Sequence, residues 1–212
     1  MSRAIYLLSP TPKEGTVALP MIEFSITATS IDFSQSDTLI FTSKQAVVTA
    51  NEIDSRWKDY ACIAIGSATK KQIEDLGGKV IYHPKSFYGE SLSADIAQHF
   101  RDLRLLYLRP KEVSFDSKAF LKKEGLDLQE QIIYETSCID YTPTQKPQEN
   151  AIIIFTSPST IFCFLKNFKW DESYTAVVIG QATKVHLPTD AKYVVADRPL
   201  ITSCIKKAKT LI

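Results

Sequence analysis

The 212-residue chain has few of the features that mark the commonest functions. Only seven glycines occur, and none falls in the G-x-G-x-x-G or G-x-x-x-x-G-K-[ST] patterns whose backbone cradles nucleotide phosphates. The four cysteines, Cys62, Cys138, Cys163 and Cys204, form no C-x-x-C pair, and without a secretory leader all four read as reduced, mostly buried thiols. His83, His99 and His186 lack ligand spacing to one another or to a cysteine, so no metal site is expected. No G-x-S-x-G elbow is present, and serine, histidine and acidic residues show no recognisable triad arrangement. Charge of either sign is not in surplus: 25 basic residues face 24 acidic ones for a formal +1, which gives no support to a broad nucleic-acid face. Apolar runs such as Ala151 to Phe155 and Ile161 to Leu165 fall far short of the ~18 residues that span a bilayer. The apolar stretch after Arg3 meets Pro10 and Pro12 too soon for a signal-peptide core, so a cytoplasmic location is expected.

Apolar residues make up 44% of the chain and charged residues 23%, the proportions of an ordinary packed globular protein. Its organising feature is an internal repeat. Ile40-Phe41-Thr42-Ser43 recurs as Ile154-Phe155-Thr156-Ser157, and Ile65-Gly66-Ser67-Ala68-Thr69-Lys70 as Ile179-Gly180-Gln181-Ala182-Thr183-Lys184, with 155 − 41 and 179 − 65 both equal to 114. Upstream the offset shrinks. It is 134 − 22 = 112 where Ile22-Glu23 matches Tyr134-Glu135, and 106 − 6 = 100 where Tyr6-Leu7-Leu8-Ser9-Pro10 matches Leu106-Tyr107-Leu108-Arg109-Pro110. The second half therefore carries extra residues between Pro110 and Glu135, where Phe115, Ala119, Phe120 and Leu121 fit a helical face that the first half lacks.

Each half reads as short β-branched apolar runs followed by a polar turn and an amphipathic stretch, the βαβ pattern of a parallel sheet covered on both faces. Strands are expected over 4–8, 38–42, 61–65, 79–82, 104–108, 131–136, 151–155, 175–179 and 192–196. Helices are expected over 44–51, 68–76, 91–101, 116–124, 159–166 and 200–209. Residues 24–37 and 137–150, rich in Ser, Thr or Pro, occupy equivalent places and read as linkers. The expectation is an α/β protein of two Rossmann-like, flavodoxin-like lobes: 1–24 with 139–212 as a discontinuous lobe holding both termini, 25–138 as the other, and a cleft between them across a two-stranded hinge.

In open parallel sheets the loops at the carboxyl ends of strands line the ligand crevice, which is where both the Thr-Ser and the Gly-x-Ala-Thr repeats fall. Ser43, Thr69, Ser157 and Thr183 place hydroxyls and helix-start N–H groups there, a chemistry suited to carboxylates. The competing reading is that Ser43 and Ser157 only cap helices. Tyr134 ends the apolar run Gln131-Ile132-Ile133 beside the second linker, so its phenol is placed to give a hydrogen bond or a proton, or else to pack as a half-buried structural tyrosine. Lys44 and Arg109 are candidate anion contacts within a basic set that also includes Lys13, Lys70, Lys111, Lys184 and Arg198, although solvated surface charge is the usual fate of such residues.

Taken in order, Pro20-Met21-Ile22-Glu23, Ile40-Phe41-Thr42-Ser43, Ile65-Gly66-Ser67-Ala68-Thr69, Ile133-Tyr134-Glu135-Thr136, Phe155-Thr156-Ser157-Pro158-Ser159 and Ile179-Gly180-Gln181-Ala182-Thr183 make the chain resemble the uroporphyrinogen-III synthases over nearly its whole length. These enzymes close the linear tetrapyrrole hydroxymethylbilane with inversion of its last ring. The resemblance implies a hydro-lyase without metal or redox cofactor. It implies a role for Tyr134 in departure of the substrate hydroxyl, and substrate contacts at Thr69, Ser157, Ser159 and Thr183. It further implies a linear tetrapyrrole as ligand, transient contact with hydroxymethylbilane synthase, and no nucleic-acid or membrane partner. A monomer is the default in the absence of an exposed heptad or apolar edge. One departure stands out: only Ser9 to Thr16 fills the place where family members carry a helix after the first strand. Two rival readings share the repeat, a non-catalytic two-lobed small-molecule binding protein and a divergent regulatory or assembly protein.

Overall fold

The computed structural model describes residues 3–86 and 88–212. In chain order its elements are β1 (Ile5–Leu7), β2 (Val17–Ala18), β3 (Ile22–Ile26), β4 (Thr38–Phe41), α1 (Lys44–Ile53), β5 (Ala61–Ala64), α2 (Ser67–Asp75), β6 (Lys79–Tyr82), α3 (Gly89–His99), β7 (Leu105–Pro110), α4 (Ser117–Lys123), β8 (Leu128–Cys138), β9 (Ile152–Phe155), α5 (Pro158–Asn167), β10 (Thr175–Val178), α6 (Gln181–Lys184), β11 (Lys192–Val195) and α7 (Ile201–Lys209). Short 3-10 turns lie at Ser55–Asp59 and Pro143–Gln145. The chain divides into two compact units, one of Met1–Glu23 with Ser137–Ile212, the other of Phe24–Thr136. The α/β expectation holds in both.

The continuous unit holds a six-stranded sheet in the order β3-β8-β7-β4-β5-β6. Its centre, β4, pairs in parallel with β5 and β7, and these pair in parallel with β6 and β8. All four residues of β4 are buried, as a parallel strand sandwiched between helices requires. The period of two divides them: Leu39 and Phe41 face Ala46, Val47 and Ala50 of α1, whereas Ile40 faces Leu92 and Ile96 of α3 and Leu121 of α4. Trp57, fully buried in its 3-10 turn, meets Phe41 edge-on at 5.5 Å between ring centres. The chain clears that indole only because of the turn after α2. Gly77 there adopts φ +91°, and a Cβ on Gly78 would lie 2.3 Å from the Trp57 ring.

The discontinuous unit holds a five-stranded sheet, β11-β10-β9-β1-β2, with every neighbouring pair parallel. On one face Ile5, Leu7, Ile152, Ile154 and Val177 pack on Cys204 and Ala208 of α7. Elsewhere in this unit Phe155, Phe164, Trp170 and Tyr174 form an edge-to-face aromatic cluster. No helix forms between β1 and β3, whereas the second half has α4 at the corresponding place.

Four features differ from the sequence expectations. Cys138 and Cys163 are not free thiols: the end of β8 and α5 bring their Cα atoms to 5.2 Å and the sulfurs are bonded, leaving Cys62 and Cys204 as the buried free pair. β3 continues to Ile26, inside the segment read as linker, because its exposed residues disguise a strand as polar coil. β8 begins at Leu128, earlier than the expected 131. α6 forms where no helix is expected; it is a single turn, against nine residues in its repeat partner α2, because Pro188 soon follows and a proline cannot continue a helix.

Candidate functional site

Strand order locates the crevice in each unit. From β4 the chain runs outward through β5 and β6 on one side, and through β7 and β8 on the other, so the switch point lies between the carboxyl ends of β4 and β7. The same reasoning puts the switch point of the other sheet between β9 and β1.

At the first switch point β4 ends in Thr42 and Ser43. Ser43 is extended, with φ −153° and ψ 155°, and its Oγ accepts a 2.9 Å hydrogen bond from the Ala46 amide, capping α1. The same oxygen lies 2.9 Å from the Tyr134 hydroxyl. Capping and a bond to a phenol thus coexist in one side chain, since a serine hydroxyl accepts twice and donates once. Tyr134 is 4% exposed and packs edge-on against Phe24 at 5.8 Å. Burial raises its pKa above the ordinary 10.0, and the Ser43 hydrogen bond opposes that rise in part. The phenol is therefore neutral and proton-bearing near neutral pH. One residue earlier, Thr42 Oγ1 lies 2.7 Å from the Tyr107 hydroxyl, bridging β4 and β7. Tyr107 is likewise 4% exposed, and burial raises its pKa too.

The other candidates separate into groups. Thr69 and Thr183 sit in the first turns of α2 and α6 but are only 4% and 3% exposed, and the Thr183 N–H already donates to the Gly180 carbonyl at 3.1 Å, so neither hydroxyl is presented at the surface. Ser157 repeats the Ser43 role: it is extended, and its Oγ accepts from the Thr160 amide at 3.3 Å to cap α5. Ser159, one turn position further, is exposed. Lys44 is exposed at the start of α1 and makes no ion pair among the described residues. Arg109 differs from the expectation of a free anion contact. Its guanidinium is ion-paired with Glu130 at 3.3 Å and donates to the carbonyls of Pro110 and Lys111, because β8 brings an acid alongside the end of β7. It walls an open recess of about 450 Å³ with Ser114, Lys118 and Lys122. Lys111 is likewise paired, with Glu135 at 3.0 Å. Among the described residues, no group of three or more His, Cys, Asp or Glu side chains could hold a metal ion.

The repeat reveals what the motifs concealed. Tyr107 pairs in register with Ile40 as Leu7 pairs with Ile154, so Leu7 stands where Tyr107 does in the other unit. By the sequence offset Ile22 stands where Tyr134 does. Both phenols are thus confined to one half. Tyr107 escapes sequence inspection because a tyrosine within the apolar run Leu105-Leu106-Tyr107-Leu108 reads as core; the one available signal is that its repeat partner is leucine.

A family model described as uroporphyrinogen-III synthase HemD matches residues 15–206. The chain is similar to the uroporphyrinogen-III synthetase of Helicobacter pylori 26695, at 27% identity and a TM-score of 0.83 with all of both chains covered. It is also similar in fold to a mutant uroporphyrinogen III synthase of the extremely thermophilic bacterium Thermus thermophilus, at 10% identity and a TM-score of 0.61 over 99% of this chain and 98% of that one. No curated protein was found to match. With most of its length inside the family model, the chain belongs to the uroporphyrinogen-III synthase family.

Proposed function

We propose that Tyr134, oriented by Ser43, is the proton donor in the cyclisation that this family performs, and that the helix-start groups at Ser43, Thr69, Ser157, Ser159 and Thr183 bind the carboxylates of the substrate. The chain is a cyclising lyase of haem biosynthesis, acting on hydroxymethylbilane with inversion of ring D; the reading as a non-catalytic binding protein is not favoured. The observation that supports the role of Tyr134 is the Ser43 hydroxyl at 2.9 Å from a buried neutral phenol at the switch point. When Ser43 Oγ accepts from Ala46 and donates its own proton to the Tyr134 oxygen, the phenol proton is left for the substrate.

The steps then follow from bond-making. Tyr134 protonates the hydroxymethyl oxygen, and the C–O bond breaks with its electron pair leaving as water. The pyrrole nitrogen supplies the compensating electrons, giving an azafulvene-type electrophile. Ring D attacks that methylene through the carbon that already carries its bridge to ring C, forming a spiro intermediate; the old bridge bond then breaks to leave an azafulvene-type electrophile on ring C, and the free α-carbon of ring D bonds to it. The proton lost as the ring regains aromaticity restores the phenol. Most of the acceleration is assigned to holding a flexible chain with eight carboxylates in its closing conformation, an effect that reaches roughly 7–11 kcal/mol in favourable systems. We place the enzyme in the cytoplasm as a monomer in transient contact with hydroxymethylbilane synthase.

The test supplies the purified protein with freshly generated hydroxymethylbilane and separates the oxidised products into type I and type III porphyrins. Uncatalysed closure gives type I, so excess type III reports turnover. Tyr134→Phe is expected to lower kcat about 10²-fold, the lower range for a positioned general acid, while leaving measurable type III product. Wild-type turnover by a folded Tyr134→Phe would overturn the assignment.

A further inference from the structure

We infer that Tyr107 is a positioning residue for this reaction, acting through Thr42 on the Ser43–Tyr134 pair. The inference rests on the reading of Tyr134 as the proton donor and extends it to a residue that touches neither Tyr134 nor Ser43 through a hydrogen bond.

Three observations carry it. Tyr107 and Tyr134 lie in different cores, Tyr107 with Leu92, Ile96 and Leu121, and Tyr134 with Phe41, Ala46 and Ile133. From there each phenol reaches one of two consecutive hydroxyls: Thr42 at 2.7 Å and Ser43 at 2.9 Å. The turn from β4 into α1 is thereby tied to both flanking cores through adjacent residues. Second, the Thr42–Tyr107 bond crosses from β4 to β7, the two strands that define the switch point, so it fixes the place at which Ser43 leaves the sheet. Third, the equivalent position in the duplicated unit is Leu7, fully buried and in the same strand register against Ile154. The fold accommodates an apolar side chain there. A tyrosine whose hydroxyl must be satisfied inside a core is thus not demanded by the scaffold, and it occurs only in the half that holds Tyr134.

The geometry this controls is narrow. Ser43 Oγ must meet both the Ala46 amide and the Tyr134 hydroxyl, each at 2.9 Å, and a rotation at Thr42 moves both distances. Loss of the Thr42–Tyr107 bond loosens that double engagement while leaving Ser43 and Tyr134 themselves in place.

The experiment is a set of variants in the full chain: Tyr107→Phe, Thr42→Val, Thr42→Ser, Tyr134→Phe and Tyr107→Phe/Tyr134→Phe. Steady-state kcat and KM for type III product are read alongside the thermal unfolding midpoint. Tyr107→Phe and Thr42→Val, which delete the bond from opposite ends, are each expected to lower kcat about tenfold with KM unchanged, within the range for coupling in one hydrogen-bond network. Thr42→Ser, which keeps the hydroxyl, is expected to restore most of the rate. The double variant is expected to be no slower than Tyr134→Phe alone, because residues that act as a unit are not additive. Wild-type kcat in Tyr107→Phe and Thr42→Val, or losses that multiply in the double variant, would overturn the inference while the slow Tyr134→Phe leaves the donor reading standing. Wild-type kcat in Tyr134→Phe would overturn the donor reading and this inference with it.

Discussion

Ser43 and Ser157 are sequence twins with different duties. Each caps the helix that follows it, and loss of such a cap costs about 1 kcal/mol. Only Ser43 has a phenol on its oxygen among the described residues. Ser43→Ala and Ser157→Ala should therefore lower the unfolding free energy by comparable amounts in denaturant titrations and differ in kinetics. Ser43→Ala lowers kcat, and Ser157→Ala raises KM. Equal kinetic profiles for the two would contradict the asymmetry. At this scale the sequence reveals residue types and hides their partners. The hydroxyl repeats were visible at once, but Arg109 looked available until Glu130, across a strand pair, was seen to occupy it. The cysteines behave likewise, because a spacing of 25 residues with no motif carries no pairing information.

Elements were far more legible, because buried parallel strands write themselves as apolar runs and the repeat supplied each run with a second witness. What stayed hidden are elements decided by contacts rather than composition, such as the two-residue β2 and the outward-facing β3. The turn from α2 into β6 belongs here. Gly77 needs its left-handed φ, but Gly78 is glycine because the Trp57 ring leaves no room for a Cβ. Gly78→Ala is expected to destabilise the protein by about 1–3 kcal/mol, the usual size of core overpacking, measured as a lower urea midpoint. An unchanged midpoint would mean that the indole moves aside without cost, against its complete burial in a core of aromatic and aliphatic neighbours.

Across the whole molecule the buried acids shift in one direction. Burial pushes the thiols of Cys62 and Cys204 from 9.0 to about 12 and about 11, and it pushes the phenols of Tyr107, Tyr134 and Tyr174 upward from 10.0, with Tyr174 reaching about 12. A group that holds its proton more tightly when folded favours the native state below its unfolded pKa. As pH rises past about 9, the unfolded chain releases protons that the folded chain keeps, so stability falls steadily toward pH 12. Asp171 acts oppositely: hydrogen bonds from Ser173 and Lys146 lower it to about 2, so its contribution is present above 3.8 and fades as pH falls toward 2. Thermal midpoints measured from about pH 8 to 11 should decline monotonically, and a flat profile would contradict the burial of these groups. The Cys138–Cys163 bond closes a loop of 25 residues within the discontinuous unit, and its reduction should remove roughly 3 kcal/mol in the chain-entropy account, read as a lower midpoint in dithiothreitol.

The apolar residues Leu7 and Ile22, standing where the other half has Tyr107 and Tyr134, give the molecule a blank copy of its own chemistry. In the language of descent, the two positions answer only to packing. On the proposed roles of Tyr107 and Tyr134, descendants of this gene are expected to wander between leucine, isoleucine, valine and methionine at Leu7 and Ile22 while keeping the phenols at the repeat partners. A single chain thus contains both an experiment and its control.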